Sequence, residues 1–178
     1  DMTNNTMRII PDFVEEGVKA FGFSFVDRSK WDKGEWDREP YDKIIWKDPN
    51  TGYDCMLHRN RMGAWCGYVG VSQSHRLFGV EYQDFYNLDS DEYLASFNVH
   101  GGITFTDSSR DVDENGKGVG WFYACKHVWW FGFDCVHLGD CGPSEPWEER
   151  WDSRYWSQSS VVDEVMSLAK QLVEGTYR

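Results

Sequence analysis

The chain has 178 residues and a mass of 20.8 kDa, which favours a single domain with a substantial core. Its net charge of −12 and isoelectric point of about 4.7 argue against duplex nucleic acid and anionic membrane surfaces as partners, because proteins bind both through clustered Lys and Arg. Aromatic residues make up 17% of the chain and include 10 tryptophans, so we expect some of them to line a pocket or a partner surface.

Short strands separated by turns are predicted along most of the chain, because β-branched and aromatic runs are bounded by Gly, Asn, Asp or Pro. The predicted strands are residues 22–26, 41–46, 53–59, 64–71 and 93–106. The second and third of these form a hairpin around the turn-forming residues 48–52, and the last is interrupted at Gly101 and Gly102. Polar loops are predicted at residues 27–40, 72–78 and 107–118, and short helices at residues 11–20 and 79–88.

The run at residues 127–140, HVWWFGFDCVHLGD, combines a long aromatic stretch with two histidines, two aspartates and a cysteine. Both of its alternating faces are apolar, which indicates a central strand covered on both sides. A regular strand points Asp134 and His137 to opposite faces, so a site shared by them needs either a bulge near Gly132 or a strand that ends before His137. The turn-forming residues that follow favour the second alternative, with His137 and Asp140 at the carboxyl end of a strand.

The C-terminal segment predicts an amphipathic helix over residues 159–174. Its apolar residues recur at intervals of three and four positions: Val162, Val165, Met166, Ala169, Leu172 and Val173. Ser160 and Asp163 resemble a capping box at its start, and Gly175 lies where the glycine after a helix belongs.

Several features indicate a cytoplasmic protein. The first residues show no basic region followed by an apolar run, so we expect no signal peptide. Apolar runs stay well short of the roughly 20 residues that span a membrane. The five cysteines are odd in number and form no CxxC pair, which favours reduced thiols; they are Cys55, Cys66, Cys125, Cys135 and Cys141.

The first group of candidate ligand-binding residues surrounds the sequence His-Gly-Gly. Gly101 and Gly102 allow a ligand to approach the backbone next to His100, and backbone N–H groups in such a turn can hold an anion. A histidine hydrogen-bonded in the core is the structural alternative. Further ligand-binding candidates are Trp129 and Trp130, which can stack a base, and the cationic loop residues His75 and Arg76.

The candidate catalytic residues are His100, Asp134, His137 and Asp140. A carboxylate beside a histidine fixes the tautomer of the imidazole, an arrangement used by general bases and by metal ligands. A divalent metal, if present, would take its ligands from His100, His137 and Asp140. The alternative is a buried His–Asp hydrogen bond that only stabilises the sheet.

Six stretches of the sequence resemble, in the same order, an uncharacterised family of small proteins associated with bacteriophages and prophages. They are WDKGEWDREP (31–40), WKDPNTGYDCMLHR (46–59), CGYVGVSQSH (66–75), VHGGITF (99–105), HVWWFGFDCVHLGD (127–140) and SLAKQL (167–172). The most specific motifs are GYVGV, HGGITF and HVWWFGFDCxHxGD. The family has no established activity, and the resemblance implies a phage-encoded protein in the cytoplasm of a host cell.

The fold expected from these patterns is α+β: a single domain over residues 1–178 with a mainly antiparallel or mixed sheet and a C-terminal helix packed on it. Within it, residues 1–30 would form an N-terminal helix and strand. Residues 31–142 would form the sheet with its site loops, and residues 159–174 the packed helix.

Three functions remain open. By analogy with small phage proteins that counter host defence, the first is a hydrolase, such as a phosphodiesterase, acting on a small nucleotide-like ligand. His137 would be the general base or a metal ligand, oriented by Asp134 or Asp140, with His100 as the second acid–base group and the two glycines cradling a phosphate. The second is a protein that sequesters such a ligand without chemistry. The third is an acidic inhibitor that binds a host protein.

Overall fold

A computed structural model describes residues 7–9, 13, 17–87, 89–108, 128–144 and 153–174. The strands in chain order are β1 (Met7–Ile9), β2 (Ala20–Phe23), β3 (Lys43–Lys47), β4 (Asp54–Arg59), β5 (Trp65–Val71), β6 (Tyr86–Asn87), β7 (Glu92–Tyr93), β8 (Phe105–Ser108), β9 (Trp129–Asp134), β10 (Asp140–Cys141) and β11 (Arg154–Tyr155). The α-helix is α1 (Gln158–Glu174), and short 3-10 turns occur at Glu35–Arg38 and Tyr82–Phe85.

The main sheet of the described residues has seven strands in the order β1-β2-β3-β4-β5-β9-β8. Every neighbouring pair in it is antiparallel. The helix α1 packs on its centre, against β4 and β5. The prediction of an α+β fold with an antiparallel sheet and a packed C-terminal helix is therefore confirmed.

The face of the sheet below α1 forms the larger core. Trp65 of β5 and Phe131 of β9 point to this side and are buried. The apolar stripe of α1 meets them with Val161, Val165, Leu168, Ala169 and Leu172. Each large apolar side chain buried in this way contributes about 1.5–3 kcal/mol to stability. Gly67 allows the close approach, because a Cβ atom there would lie only 2.7 Å from Val165.

The opposite face of the sheet carries a smaller core. Met56, Tyr68 and Trp130 are buried there together with Val128. Tyr68 packs edge-on against Phe105 of β8, with ring centroids 5.5 Å apart. The centre of the sheet is therefore covered on both sides, as the apolar residues on both faces of the 127–140 run predicted.

A buried group of charged and polar side chains fixes the start of α1. Oε1 of Glu39 accepts hydrogen bonds from Nη2 of Arg59 at 2.8 Å, from Nε1 of Trp65 at 3.2 Å and from the hydroxyl of Tyr155. Oε2 of Glu39 accepts a hydrogen bond from the backbone N–H of Gln158 at 2.6 Å. A carboxylate at a helix N-terminus is favourable because the helix dipole is positive there. The Glu39 side chain thus holds α1 to the loop before β3.

Two predicted elements in the middle of the chain are wrong. Residues 79–87 do not form the helix that was predicted over residues 79–88; the 3-10 turn Tyr82–Phe85 leads directly into β6, which pairs with β7. The strand predicted at residues 93–106 is split into β7 and β8 by an irregular segment. The positive φ angles of Gly101 and Gly102, +69° and +75°, are incompatible with an extended strand and break it.

The start of α1 also differs from the prediction. The helix begins at Gln158, so Ser160 lies in its first turn and cannot be the capping residue. Ser157 takes that place, because its Oγ accepts a hydrogen bond from the N–H of Ser160 at 3.3 Å. Half of the predicted helix at residues 11–20 lies outside the described residues, and Ala20 already begins β2. His127, residues 109–118 and Gly175 also lie outside them.

Within the described residues, no helix is both long enough and apolar enough to cross a membrane.

Candidate functional site

The candidate site lies beyond the carboxyl end of β9. This strand ends at Asp134, and the chain turns through residues 135–139 to reach Asp140 at the start of β10. The strand β10 pairs in parallel with β11, which brings Trp156, the residue after β11, next to Asp140. The prediction that the strand ends before His137 is confirmed.

The loop between β7 and β8 brings His100 to the same place. The helix α1 holds this loop, because the side chain of Gln171 exchanges hydrogen bonds of 2.8 and 3.0 Å with the backbone of Asn98. Glu164 of α1 accepts a hydrogen bond from the backbone N–H of His100 at 3.3 Å. The position of the imidazole is therefore set by the helix as well as by the loop.

Asp140 is the centre of the site. Its carboxylate is buried and accepts hydrogen bonds from Nε2 of His100 at 2.8 and 3.0 Å, from Nε1 of Trp156 at 3.1 Å and from the backbone N–H of His137 at 2.8 Å. Donors surround both oxygens, which compensates for the cost of burying the charge.

This contact determines the tautomer of His100. A carboxylate can only accept hydrogen bonds, so Nε2 of His100 must carry the proton that points to Asp140. The lone pair of the neutral imidazole is then on Nδ1, which forms no hydrogen bond with any described residue. An imidazole held in this way by a carboxylate is equipped to accept a proton at its other nitrogen.

His137 and Asp134 form a second, looser pair. Nε2 of His137 lies 3.4 Å from Oδ1 of Asp134, and about a third of each side chain, 33% and 35%, is exposed. Asp134 is held in place by Oγ1 of Thr104 at 3.2 Å and by the N–H of Val136 at 3.0 Å. The rings of His137 and His100 meet edge to face with centroids 5.3 Å apart. Two imidazoles, each beside its own carboxylate, therefore stand side by side.

A cation and an indole complete the site. The ring of Trp156 stacks on His100 with centroids 4.0 Å apart and an interplanar angle of 28°. The guanidinium of Arg154 lies 4.2 Å from the ring of Trp156 and donates a hydrogen bond to Oγ of Ser160 at 3.3 Å. Arg154 is exposed, so it places a positive charge at the edge of the site. Planar guanidinium groups suit phosphate and carboxylate oxygens.

The two glycines after His100 have different surroundings. A Cβ atom on Gly101 would lie 2.0 Å from Nε2 of His137, so this glycine makes room for that imidazole. A Cβ atom on Gly102 would meet no atom within 4 Å, and its N–H donates to the carbonyl of Val99 at 2.9 Å. The pair was predicted to cradle a phosphate; instead, Gly101 packs against His137 and the N–H of Gly102 is already bonded.

No protein-family model, curated protein or solved structure matches this chain. The function therefore has to be inferred from the chemistry of the site. That chemistry consists of two imidazoles paired with carboxylates and an arginine at the edge.

The metal site considered from the sequence has no support in this geometry. Within the described residues, no group of three or more His, Cys, Asp or Glu side chains is placed to hold a metal ion. Asp140 illustrates the reason, because both of its oxygens already accept hydrogen bonds from His100, His137 or Trp156.

His75 and Arg76 do not join this site. Nε2 of His75 is 2.9 Å from the carbonyl oxygen of Leu172 in α1, and Nδ1 accepts a hydrogen bond from the N–H of Leu77 at 3.0 Å. The ring therefore joins the loop after β5 to the end of the helix. Arg76 donates to the carbonyl of Leu94 at 3.2 Å. Both side chains connect segments of the fold.

Trp129 and Trp130 lie in the two cores rather than in a pocket. Trp129 is buried on the side of α1 and donates its Nε1–H to the carbonyl of Val80 at 3.1 Å. Trp130 is buried in the smaller core on the opposite face. Neither indole presents a face on which a ligand could stack.

Trp156, Arg154 and Thr104 were missed by the sequence analysis. Residues 154–156 read Arg-Tyr-Trp within an irregular aromatic and acidic segment, where no periodicity marks a strand. Their role depends on the parallel pairing of β10 with β11, which involves two residues from each strand. The surplus of tryptophan was the available signal, but it drew attention to Trp129 and Trp130, which are buried in the two cores.

Proposed function

We propose that this protein is a hydrolase that cleaves a phosphodiester bond in a small nucleotide-like ligand by general acid–base catalysis. The observation that carries this proposal is the pair of adjacent imidazoles, His100 and His137, each next to its own carboxylate. Hydrolysis of a phosphodiester requires one group that takes a proton from water and another that gives a proton to the leaving oxygen. Positioned side chains of this kind each accelerate such steps by roughly 10²–10⁴-fold.

His100 is the better placed general base. Its Nε2–H is held by the buried carboxylate of Asp140, so Nδ1 accepts the proton of the attacking water. The water oxygen forms a new bond to phosphorus while the bond from phosphorus to the leaving oxygen breaks. His137, whose Nε2 is buried beside Asp134 and Gly101, donates a proton from Nδ1 to that leaving oxygen. Arg154 stabilises the negative charge on the phosphate oxygens.

The cellular setting is part of the same proposal. The resemblance of GYVGV, HGGITF and HVWWFGFDCxHxGD to phage proteins supports a phage-encoded accessory protein that counters host defence by removing a nucleotide signal. The described cysteines are all free thiols, which is compatible with a reducing cytoplasm: Cys55, Cys66, Cys135 and Cys141.

Sequestration without chemistry is the second candidate function. It is favoured by the limited access to His100, which is stacked on Trp156 and has 20% of its side chain exposed. A binding protein of this kind would retain its ligand intact. The third candidate function, inhibition of a host protein by an acidic surface, is supported by the net charge of −12 and by no described contact.

Native mass spectrometry before and after incubation with a nucleotide extract distinguishes the two. Unchanged protein mass together with new, smaller nucleotides is the expected result. An added mass that is released intact on denaturation would instead establish sequestration and refute hydrolysis.

Turnover by variants then tests the roles of the histidines, with bis(p-nitrophenyl) phosphate as the probe. His100→Ala and His137→Ala should each lower kcat by roughly 10²-fold or more. The melting temperature of His137→Ala should stay near that of the wild type, whereas His100→Ala should also lower it, because the buried Asp140 carboxylate loses a donor. His75→Gln is the matched control: it removes a bond to α1, so it should lower the melting temperature and leave kcat unchanged. Full activity in His100→Ala would refute the proposed mechanism.

A further inference from the structure

A cavity of about 650 Å³ opens on the face of the sheet that points away from α1. Its floor consists of His58 of β4 together with Cys66 and Tyr68 of β5, and its rim includes Phe25 and Arg61. The volume falls within the range of roughly 300–1,000 Å³ that is typical of small-molecule sites. None of the proposed catalytic residues lines this cavity.

The floor of the cavity is uncharged at neutral pH. Burial lowers the pKa of His58 to about 4, and Lys43 acts in the same direction. Burial and the charge of Asp134 raise the pKa of the Cys66 thiol to about 12. Imidazole and thiol therefore present neutral hydrogen-bonding groups.

Aromatic rings form the remaining walls. The ring of Phe25 lies 5.3 Å from that of His58, and 55% of Phe25 is exposed. Tyr68 provides a second ring on the floor. The exposed Asp27 and Arg61 at the mouth carry opposite charges. Such walls suit a flat, uncharged ring with polar edges.

The register of the sheet connects this cavity to the candidate site. His58 lies directly opposite Cys66, and Cys66 lies directly opposite Asp134, so the three side chains form a row on one face. Neighbours in such a row are roughly 5 Å apart, which puts His58 about 10 Å from Asp134. Asp134 is the partner of His137. The raised pKa of Cys66, which is partly caused by Asp134, agrees with this proximity.

We propose that the cavity beside Phe25, His58 and Cys66 holds the nucleobase of the ligand whose phosphate lies at His137 and His100. This inference rests on the proposed function for the phosphate and adds the part of the substrate that the catalytic residues do not contact. The aromatic rim stacks the base, and the neutral imidazole and thiol meet its polar edge. A base stacked on an aromatic side chain strengthens binding by roughly 5- to 100-fold in other proteins.

Isothermal titration calorimetry with adenosine, guanosine, cytidine and uridine tests the cavity without requiring turnover. At least one nucleoside should bind the wild-type protein, and Phe25→Ala should weaken that binding by roughly tenfold. Tyr93→Ala is the matched control, because Tyr93 is an equally exposed aromatic residue outside the cavity, at 60%. The affinity of Tyr93→Ala for the nucleoside should stay at the wild-type value. No binding of any nucleoside, or unchanged binding to Phe25→Ala, would overturn the proposal.

The monophosphate of the nucleoside that binds tests whether the cavity and the catalytic residues hold the same ligand. It should bind more tightly than the nucleoside, and His137→Ala should remove this advantage while nucleoside binding persists. Equal affinities for the two ligands in the wild type would overturn the connection. Nucleoside binding by a protein that cleaves no phosphodiester would refute the proposed hydrolysis while supporting the cavity as a base-binding site.

Discussion

Acidification should destabilise this fold through His58. The side chain is mostly buried on β4, directly opposite Lys43 of β3. Burial first, and the Lys43 ammonium second, lower the pKa of His58 from its ordinary 6.5 to about 4. Between these two values the unfolded chain binds a proton at this position that the folded chain does not bind. The free energy of unfolding therefore falls as the pH decreases through this range.

The magnitude follows from the two pKa values of His58. Well above pH 6.5 neither state is protonated and the full stability is present. Well below pH 4 both states are protonated and the loss is complete. At 1.36 kcal/mol per pKa unit the total loss is about 3 kcal/mol. Between about pH 7.5 and pH 5 the expected loss is roughly 2 kcal/mol.

Urea unfolding followed by tryptophan fluorescence measures this loss in the wild type and in His58→Gln at both pH values. The glutamine has no proton to bind, and contributions of other titrating groups cancel when the two proteins are compared. The wild type should lose about 2 kcal/mol more than the variant on acidification. Equal losses in the two proteins would refute the assignment of a buried, neutral imidazole at this position.

Two substitutions with matched controls test other parts of the structure. Glu39→Gln should lower the free energy of unfolding by about 2 kcal/mol, because it removes one of the two carboxylates, Glu39 and Asp42, that pair with the buried Arg59 guanidinium. The exposed control Glu35→Gln should change it by less than about 0.5 kcal/mol, and equal values in urea unfolding would contradict the role of Glu39. Gly101→Ala should lower the free energy of unfolding by more than the roughly 1–2 kcal/mol that a left-handed backbone conformation costs an alanine. It should also lower kcat, because the added Cβ displaces His137. Gly102 has a similar φ angle, but a Cβ atom there would meet no neighbour, so Gly102→Ala should show only the backbone cost. Equal kcat values for the two variants would contradict the contact between residue 101 and His137.

The elements predicted correctly are those whose local pattern agrees with their final surroundings. The helix α1 has one apolar face to bury, and the turn-forming residues of the hairpin lie directly between β3 and β4 in the sequence. The position of His137 and Asp140 beyond the strand followed from the glycine and proline after them. In each case neighbouring residues contain the information, so periodicity and turn chemistry were sufficient.

The elements that were missed depend on contacts between distant segments. Asp140 could not be assigned to His100 from the sequence, because the loop with His100 is placed by Gln171 of α1. Trp156 reaches Asp140 through two strands of two residues, which are too short to leave a pattern. Trp130 was interpreted as a ligand-stacking residue because its burial depends on how the far face of the sheet is covered.

The place of α1 in the chain has a consequence for biosynthesis. The bond between Gln158 and Glu39 joins residues separated by 119 positions. At the usual 5–20 residues per second, a ribosome needs roughly 6–24 s to make the intervening chain. For most of that interval the apolar side of β4 and β5 exists without the helix that buries it. The nascent chain is therefore exposed to aggregation until α1 emerges, and a circular permutant that places α1 before β3 would shorten that interval.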